Sequence, residues 1–545
     1  MPVLSREPLP NPWGRLVSCA GHTGGGRWCW LLGPGLKWAG QYRHRHEILE
    51  CMTWAPGSRA VRDREYVARV RRHRPSALLP LIAQASASHS LESSWLTSPS
   101  RTYTPWALAD AARVSLACGN EYRKDASDAD LRQILDMYVR LEDHFLHDTD
   151  EDALGRWLLR ASGEQMTYQE PVYQDLARTA AMLTQTAGTR QAQCLRPGWE
   201  EELLGTSLSH YAGIAQLLWA SAISCGGRFD PDSLEAPGAE RICAEIPATT
   251  ILSVTEEHFV TDAAAFRQDN ERARMTTDPL LRRYEFNPLR AKPLVKGYGP
   301  GLLAPVGQLI ASKASPLGIY YTGVARFGDA FAQDLGDLFE AYVGRQLGLL
   351  PDATVRPEIV YGRNKARSVD WIVVTAELVL LVEVKSVRPT WHLRLATDKR
   401  VKEVNRMLGR AYEQIDHTAG LIASGQKEFA EVPTDRPVHG LVVTMEPFHI
   451  VNAPMQRPQL PDTTVPVTVS SISELENMVT ITDAPVGQLL LERAADPQRS
   501  TYALREALPG HTHHRNTVLD AGWDSYPWRH ATAEQAPSEP AAPAL

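Results

Sequence analysis

Apolar positions along the first half of the chain recur with a helical period. In 129–145, Leu131, Ile134, Leu135, Tyr138, Leu141 and Phe145 fall on one stripe, and Ser127 stands where an N-cap belongs. Comparable patterns predict helices over 77–85, 104–118, 172–184 and 200–224, so 52 to about 242 reads as mainly helical. Beyond it, 247–254 reads as a strand and 262–274 as a helix, and 284–317, with its prolines, as an extended connector packing on both halves. An amphipathic helix over 327–347 carries Phe331, Leu335, Leu338 and Tyr342 on its stripe. From there the period shortens. Strands are expected at 355–361, on both sides of a turn near Ala376 and Glu377, at 438–445 and at 465–471, with helices at 397–424 and 473–478.

The strands flanking that turn, 368–386, hold the chemistry. Ile372, Val373, Val374, Leu378, Val379, Leu380, Leu381 and Val382 make them core-like, yet Asp370, Glu383 and Lys385 interrupt the apolar run. Side chains alternate along a strand, so Glu383 and Lys385 share one face. Charges on such strands cost free energy unless they are paired or hold a metal. Two carboxylates on adjacent strands, with an amine two residues on, describe a cation site with a lysine beside it. The helix over 397–424 adds a second feature: Val401, Val404, Leu408, Ala411 and Ile415 fall in one arc, and Lys399, Lys402, Arg406, Arg410 and Gln414 in another. The apolar arc should pack on the sheet and leave the basic arc to a nucleic-acid backbone.

Asp370 followed by Glu383-Val384-Lys385, with the acids 13 positions apart, resembles the PD-(D/E)XK nuclease superfamily over about 320–480, although Val369 stands where the motif's name has proline. The resemblance implies an α/β chain: a mostly helical N-terminal half, then a restriction-endonuclease-like domain with a mixed central sheet flanked by helices. It implies a Mg2+-dependent nuclease, Mn2+ substituting, with DNA a better substrate than RNA, acting as an endonuclease in defence or DNA processing. Asp370 and Glu383 would bind the metal with the Val384 carbonyl, and Lys385 would orient water or neutralise the transition state. In the same family a helix glutamate completes the ligand shell, matched by Glu340, and a glutamine on the helix after E-x-K supports the site, matched by Gln414. Mg2+ prefers oxygen ligands and keeps several waters, so one or two carboxylates and a substrate phosphate suffice. The alternative is a silent nuclease-like domain serving as a nucleic-acid-binding module or scaffold, and a third reading makes Lys385 and Glu383 a structural ion pair.

Composition narrows the setting. The 545 residues suffice for several domains: an irregular 1–51, a helical 52–316 for recognition of the target, a protein partner or a second copy, a nuclease-like 317–480, and a short helix with a disordered tail over 481–545. A net charge of −7 excludes a generally basic nucleic-acid coat, so contacts must come from a local patch. Seven cysteines without a C-x-x-C pair fit a reduced, cytoplasmic setting, and no apolar run approaches the ~20 residues of a spanning helix. Cys19, His22, Cys29, His44 and His46 match no compact zinc spacing. Asp143 to Asp152 reads as a charged helix end, Arg59 to Arg74 as a solvated basic face, and His511, His513 and His514 as part of the tail. Arg363, Lys365 and Arg367 lie on a loop that would approach the substrate face.

Overall fold

The computed structural model describes residues 59–91 and 103–530, apart from 149, 151, 166–167, 169–170, 387–388, 449 and 455. The cysteines and histidines of 1–51 lie outside the described residues. Helices Asp63–Val70, Pro75–Leu91, Pro105–Cys118 and Asp128–Val139 enclose a first core around Tyr66, Leu79, Leu108, Ile134 and Tyr138. Ser127 closes a capping box with Asp130. The last helix stops at Val139 rather than 145, because Leu141 turns to bridge Val61. Buried arginines stitch this core to the chain that follows: Arg282 bonds Asp63 and Asp110, Arg113 bonds Glu285, and Arg283 bonds Glu164.

Helix α1 (Val172–Leu183) and helix α2 (Leu208–Ser224) belong to a second core, shared with everything C-terminal of them. The expected single helix over 200–224 is broken: Gly205 has φ +69, which ends Trp199–Leu204, and Ser207 caps α2. The expected strand at 247–254 is a helix, Ala248–Val254. Its β-branched residues favour a strand locally, but Ile251 and Val254 are three apart and both sink into the second core, and that burial decides. The connector serves both cores. Leu289, Val295 and Leu303 enter the first, while Leu294, Ala304 and Ile310 enter the second.

Helix α3 (Pro316–Phe327) leads into helix α4 (Asp329–Leu347), with Gly328 at φ +65 between them. A five-stranded mixed sheet follows: β1 (Thr354–Pro357), β2 (Trp371–Val374), β3 (Val379–Lys385), β4 (Val438–Thr444) and β5 (Val467–Ser471), in the spatial order β5-β4-β3-β2-β1. β1, β2 and β3 pair antiparallel, whereas β3, β4 and β5 are parallel. The expected strand at 355–361 is interrupted after Pro357, and Val360–Tyr361 instead pairs with Ala366–Arg367. Between β3 and β4 runs the long helix, and its last segment is α5 (Arg410–Ala423). A π-helical turn at Asn405–Gly409 resets its phase, so Val401, expected to face the sheet, is exposed and Met407 is buried instead. Leu408, Ala411 and Ile415 of this helix cover one sheet face with Ile372, Val379 and Leu381. On the other face, Phe339, Tyr342 and Val343 of α4 meet Val373, Leu380 and Val382.

Helix α6 (Ile472–Met478) follows β5. Its Glu476, buried, receives both Nε and Nη2 of Arg178 at 2.7 Å and the Tyr342 hydroxyl at 2.7 Å, tying α1 to α4 and α6. The expected boundary at 316/317 therefore lies inside a shared core. The region 481–530 is also not a tail: it forms Val486–Ala495, Leu504–Ala507, helix α7 (Thr517–Asp524) and Pro527–His530. Gly522 of α7 lies against the backbone of α1, and Trp523, Tyr526 and Trp528 are buried in the second core. Three large aromatic side chains outweigh the proline- and alanine-rich composition that suggested disorder.

Candidate metal-dependent site at the ends of two strands

The register of β2 on β3 places Trp371 opposite Val382, so Asp370 and Glu383 are the next facing pair. Facing residues of an antiparallel pair project to the same side, with Cβ atoms ~5 Å apart. The two acids thus share a face, and Lys385 shares it two residues on. Asp370 Oδ2 accepts a 2.7 Å hydrogen bond from the Val384 amide. Lys385 Nζ donates to Glu383 Oε1 at 2.6 Å, and Glu383 Oε2 is buried without a hydrogen-bond partner. Val384 takes part through its amide, whereas the resemblance assigns its carbonyl to the metal.

Glu340 comes from α4, which packs on the opposite face of the sheet. It is positioned through the backbone: Trp371 Nε1 donates to the Glu340 carbonyl at 3.0 Å. Gly344 permits this, since a Cβ there would lie 2.1 Å from the Trp371 ring. The Glu340 carboxyl nonetheless feels the site. Burial first, then the Asp370 charge, pushes its pKa up to about 7. Glu383 is also pushed up to about 7, by burial and then by Asp370, against Lys385. Burial raises Asp370 as well, opposed by the Val384 amide and by Lys385. Asp370 is the hub, bringing three carboxyls into one electrostatic unit that resists full ionisation. Among the described residues no three His, Cys, Asp or Glu side chains stand close enough together to hold a metal. The fit for a divalent cation rests on the facing pair and on the orphaned Glu383 Oε2.

Gln414 acts on the backbone two residues before the acid. Its Nε2 donates to the Ser368 carbonyl at 2.6 Å, and Thr418, one turn on, receives the Val369 amide at 3.3 Å. These two side chains of α5 fix the backbone from which Asp370 projects. Lys399, Lys402, Arg406 and Arg410 are all exposed along the same helix, with Arg406 bonded to Glu403 at 2.9 Å. Because β3 and β4 are parallel, α5 runs antiparallel to them, and Arg410 lies one turn closer than Gln414 to the strand end that carries Lys385.

Two neighbours of the site gave no signal in the sequence. Arg190 lowers the pKa of both Asp370 and Glu340. It arrives on a loop pinned to α4, where Asp334 accepts the amides of Gln193, Cys194 and Leu195 and Asp337 accepts that of Arg190. Glu358 acts in the opposite sense and is ion-paired with Arg367, so that arginine is not free for substrate. Other candidates resolve into ordinary pairs: Asp143 with Arg160, His144 with Asp278, Asp148 and Asp150 with Arg156, Arg69 with Asp130, and His511 with Asp483.

Compared with protein-family models, curated proteins and solved structures, the chain matches none of them. Among the described residues no helix is long and apolar enough to cross a membrane.

Proposed function

We propose that the chain is a Mg2+-dependent nuclease of the PD-(D/E)XK kind, cutting DNA as an endonuclease. The observation that carries the reading is the facing pair Asp370 and Glu383 with Lys385 on the same face, in which one buried carboxylate oxygen has no partner. A divalent cation, when bound, would lower the pKa of a bound water and neutralise phosphate charge. Asp370 and Glu383 would hold it, both ionised. Lys385 would then leave Glu383 and present its ammonium to the water or to a non-bridging phosphate oxygen. The Val384 amide holds the Asp370 carboxylate in place, Gln414 and Thr418 fix the backbone before it, and Lys399, Lys402 and Arg410 offer phosphate contacts independent of sequence.

A second reading has its own support. Lys385 already neutralises Glu383, and no third ligand is drawn in, as in a silent scaffold or a structural ion pair. Incubating supercoiled plasmid and single-stranded DNA with Mg2+ or Mn2+ separates the two. The nuclease reading expects cleavage by the wild type that is lost in Asp370→Ala, Glu383→Ala and Lys385→Ala. DNA binding without turnover, or cleavage that survives all three substitutions, removes it.

A further inference from the structure

Outside the carboxyl ends of the three parallel strands lies a cavity of about 460 Å³. Its wall includes Pro389 beyond β3, Met445 beyond β4 and Ser471 at the end of β5. In open α/β sheets this is where ligands sit, and the volume is within the ~300–1,000 Å³ of small-molecule pockets. The carboxylates of the candidate nuclease site are not part of its wall. Met182, Leu317, Phe339, Leu393, Met445 and Phe448 make much of that wall apolar.

Cations in this cavity outnumber the acids available to them. Arg178 is committed to Glu476 and Asp175, and Arg394 to Glu446. That leaves Arg290, Lys292 and Lys313, none of which is ion-paired with a carboxylate among the described residues. Lys313 has one long hydrogen bond, 3.5 Å to Thr322 Oγ1, and burial together with Lys292 pulls its pKa down to about 8. Arg290 packs over the Phe286 ring at 5.6 Å, and burial and the Arg394 charge lower its pKa. The N-terminus of α3, capped by Ser315, opens on the same cavity and adds its dipole to theirs. Gathered positive charge beside an apolar wall costs free energy that a bound anion would offset.

We propose that this cavity binds an amphipathic organic anion, its carboxylate or phosphate monoester on Lys313 and Arg290 and its apolar body against Leu317, Leu393 and Met445. The test is calorimetric titration of the full chain, below micelle-forming concentrations, with decanoate, decyl phosphate, decanol and inorganic phosphate. One equivalent of decanoate or decyl phosphate should bind, and the tighter of the two identifies the head group. Lys313→Met should weaken that binding about tenfold or more, leave weak decanol binding unchanged, and fold at least as stably as the wild type. Leu317→Trp, which fills the cavity, should abolish binding of both anions. If Lys313→Met does not fold, Arg290→Met and Lys292→Met carry the same expectation. Decanol binding as tightly as either anion, inorganic phosphate binding as tightly as decyl phosphate, or affinity unchanged in the cation variants would overturn the proposal.

Discussion

Replacing Glu383 by glutamine should stabilise the metal-free protein above neutral pH. Glu383 is 2 % exposed, and its pKa rises from 4.5 to about 7 through burial and the facing Asp370. A shift of that size corresponds to roughly 3 kcal/mol between the neutral and ionised carboxyl. The folded state therefore binds more protons than the unfolded state between pH 4.5 and about 7. Its stabilising contribution is full below the lower value and lost as pH rises through the upper. Near pH 8 without metal, the ionised Glu383 carries that cost, and Glu383→Gln removes it while giving up the bond to Lys385. The net gain is roughly 1–3 kcal/mol. A cation should reverse the ranking, since ligand at 100 times its Kd stabilises the wild type by about 2.7 kcal/mol and has little to hold in the variant. Urea unfolding near pH 5 and pH 8, in EDTA and in Mn2+, reads all four states. No gain for Glu383→Gln near pH 8 in EDTA, or equal stabilisation of both proteins by Mn2+, would refute the reasoning.

Gly344→Ala drives a methyl into the Trp371 ring, which holds α4 against β2; a loss of about 1–3 kcal/mol is expected, with weaker cleavage in step, read by thermal melting and plasmid nicking. Arg178→Met leaves Glu476 buried with only the Tyr342 hydroxyl, and urea unfolding should show a loss of about 3–5 kcal/mol. Substituting Lys402 and Arg410 by alanine should weaken duplex binding uniformly across sequences and reduce the salt slope by ~0.9 for each phosphate left without its cation, measured by fluorescence anisotropy.

The strands bearing Asp370 and Glu383 were legible because apolar alternation and a tight turn are local properties. Their facing register follows from the turn that joins them. The helical half was legible for the same reason, down to the Ser127 cap. What sequence reasoning missed is set at long range. The fate of 247–254 was decided by a core that Ile251 and Val254 reach only in the folded chain. A constant helical period could not anticipate the π-turn at Asn405–Gly409, which turned Val401 outward. Short helices in a proline-rich context hid the docking of Trp523 and Trp528, and Arg190 reaches the site from a loop with no pattern of its own. The resemblance makes Glu340 a metal ligand; α4 places it on the other face of the sheet, close enough for Asp370 to feel its charge.

Anomalous scattering from crystals soaked in Mn2+ bears most directly on the proposed metal chemistry. The account predicts a peak about 2.1 Å from a carboxylate oxygen of both Asp370 and Glu383, with Lys385 displaced from Glu383 Oε1, and no peak in Asp370→Ala. Density showing Lys385 still bonded to Glu383 and no manganese between the two acids, at a concentration that saturates any cleavage, would contradict it.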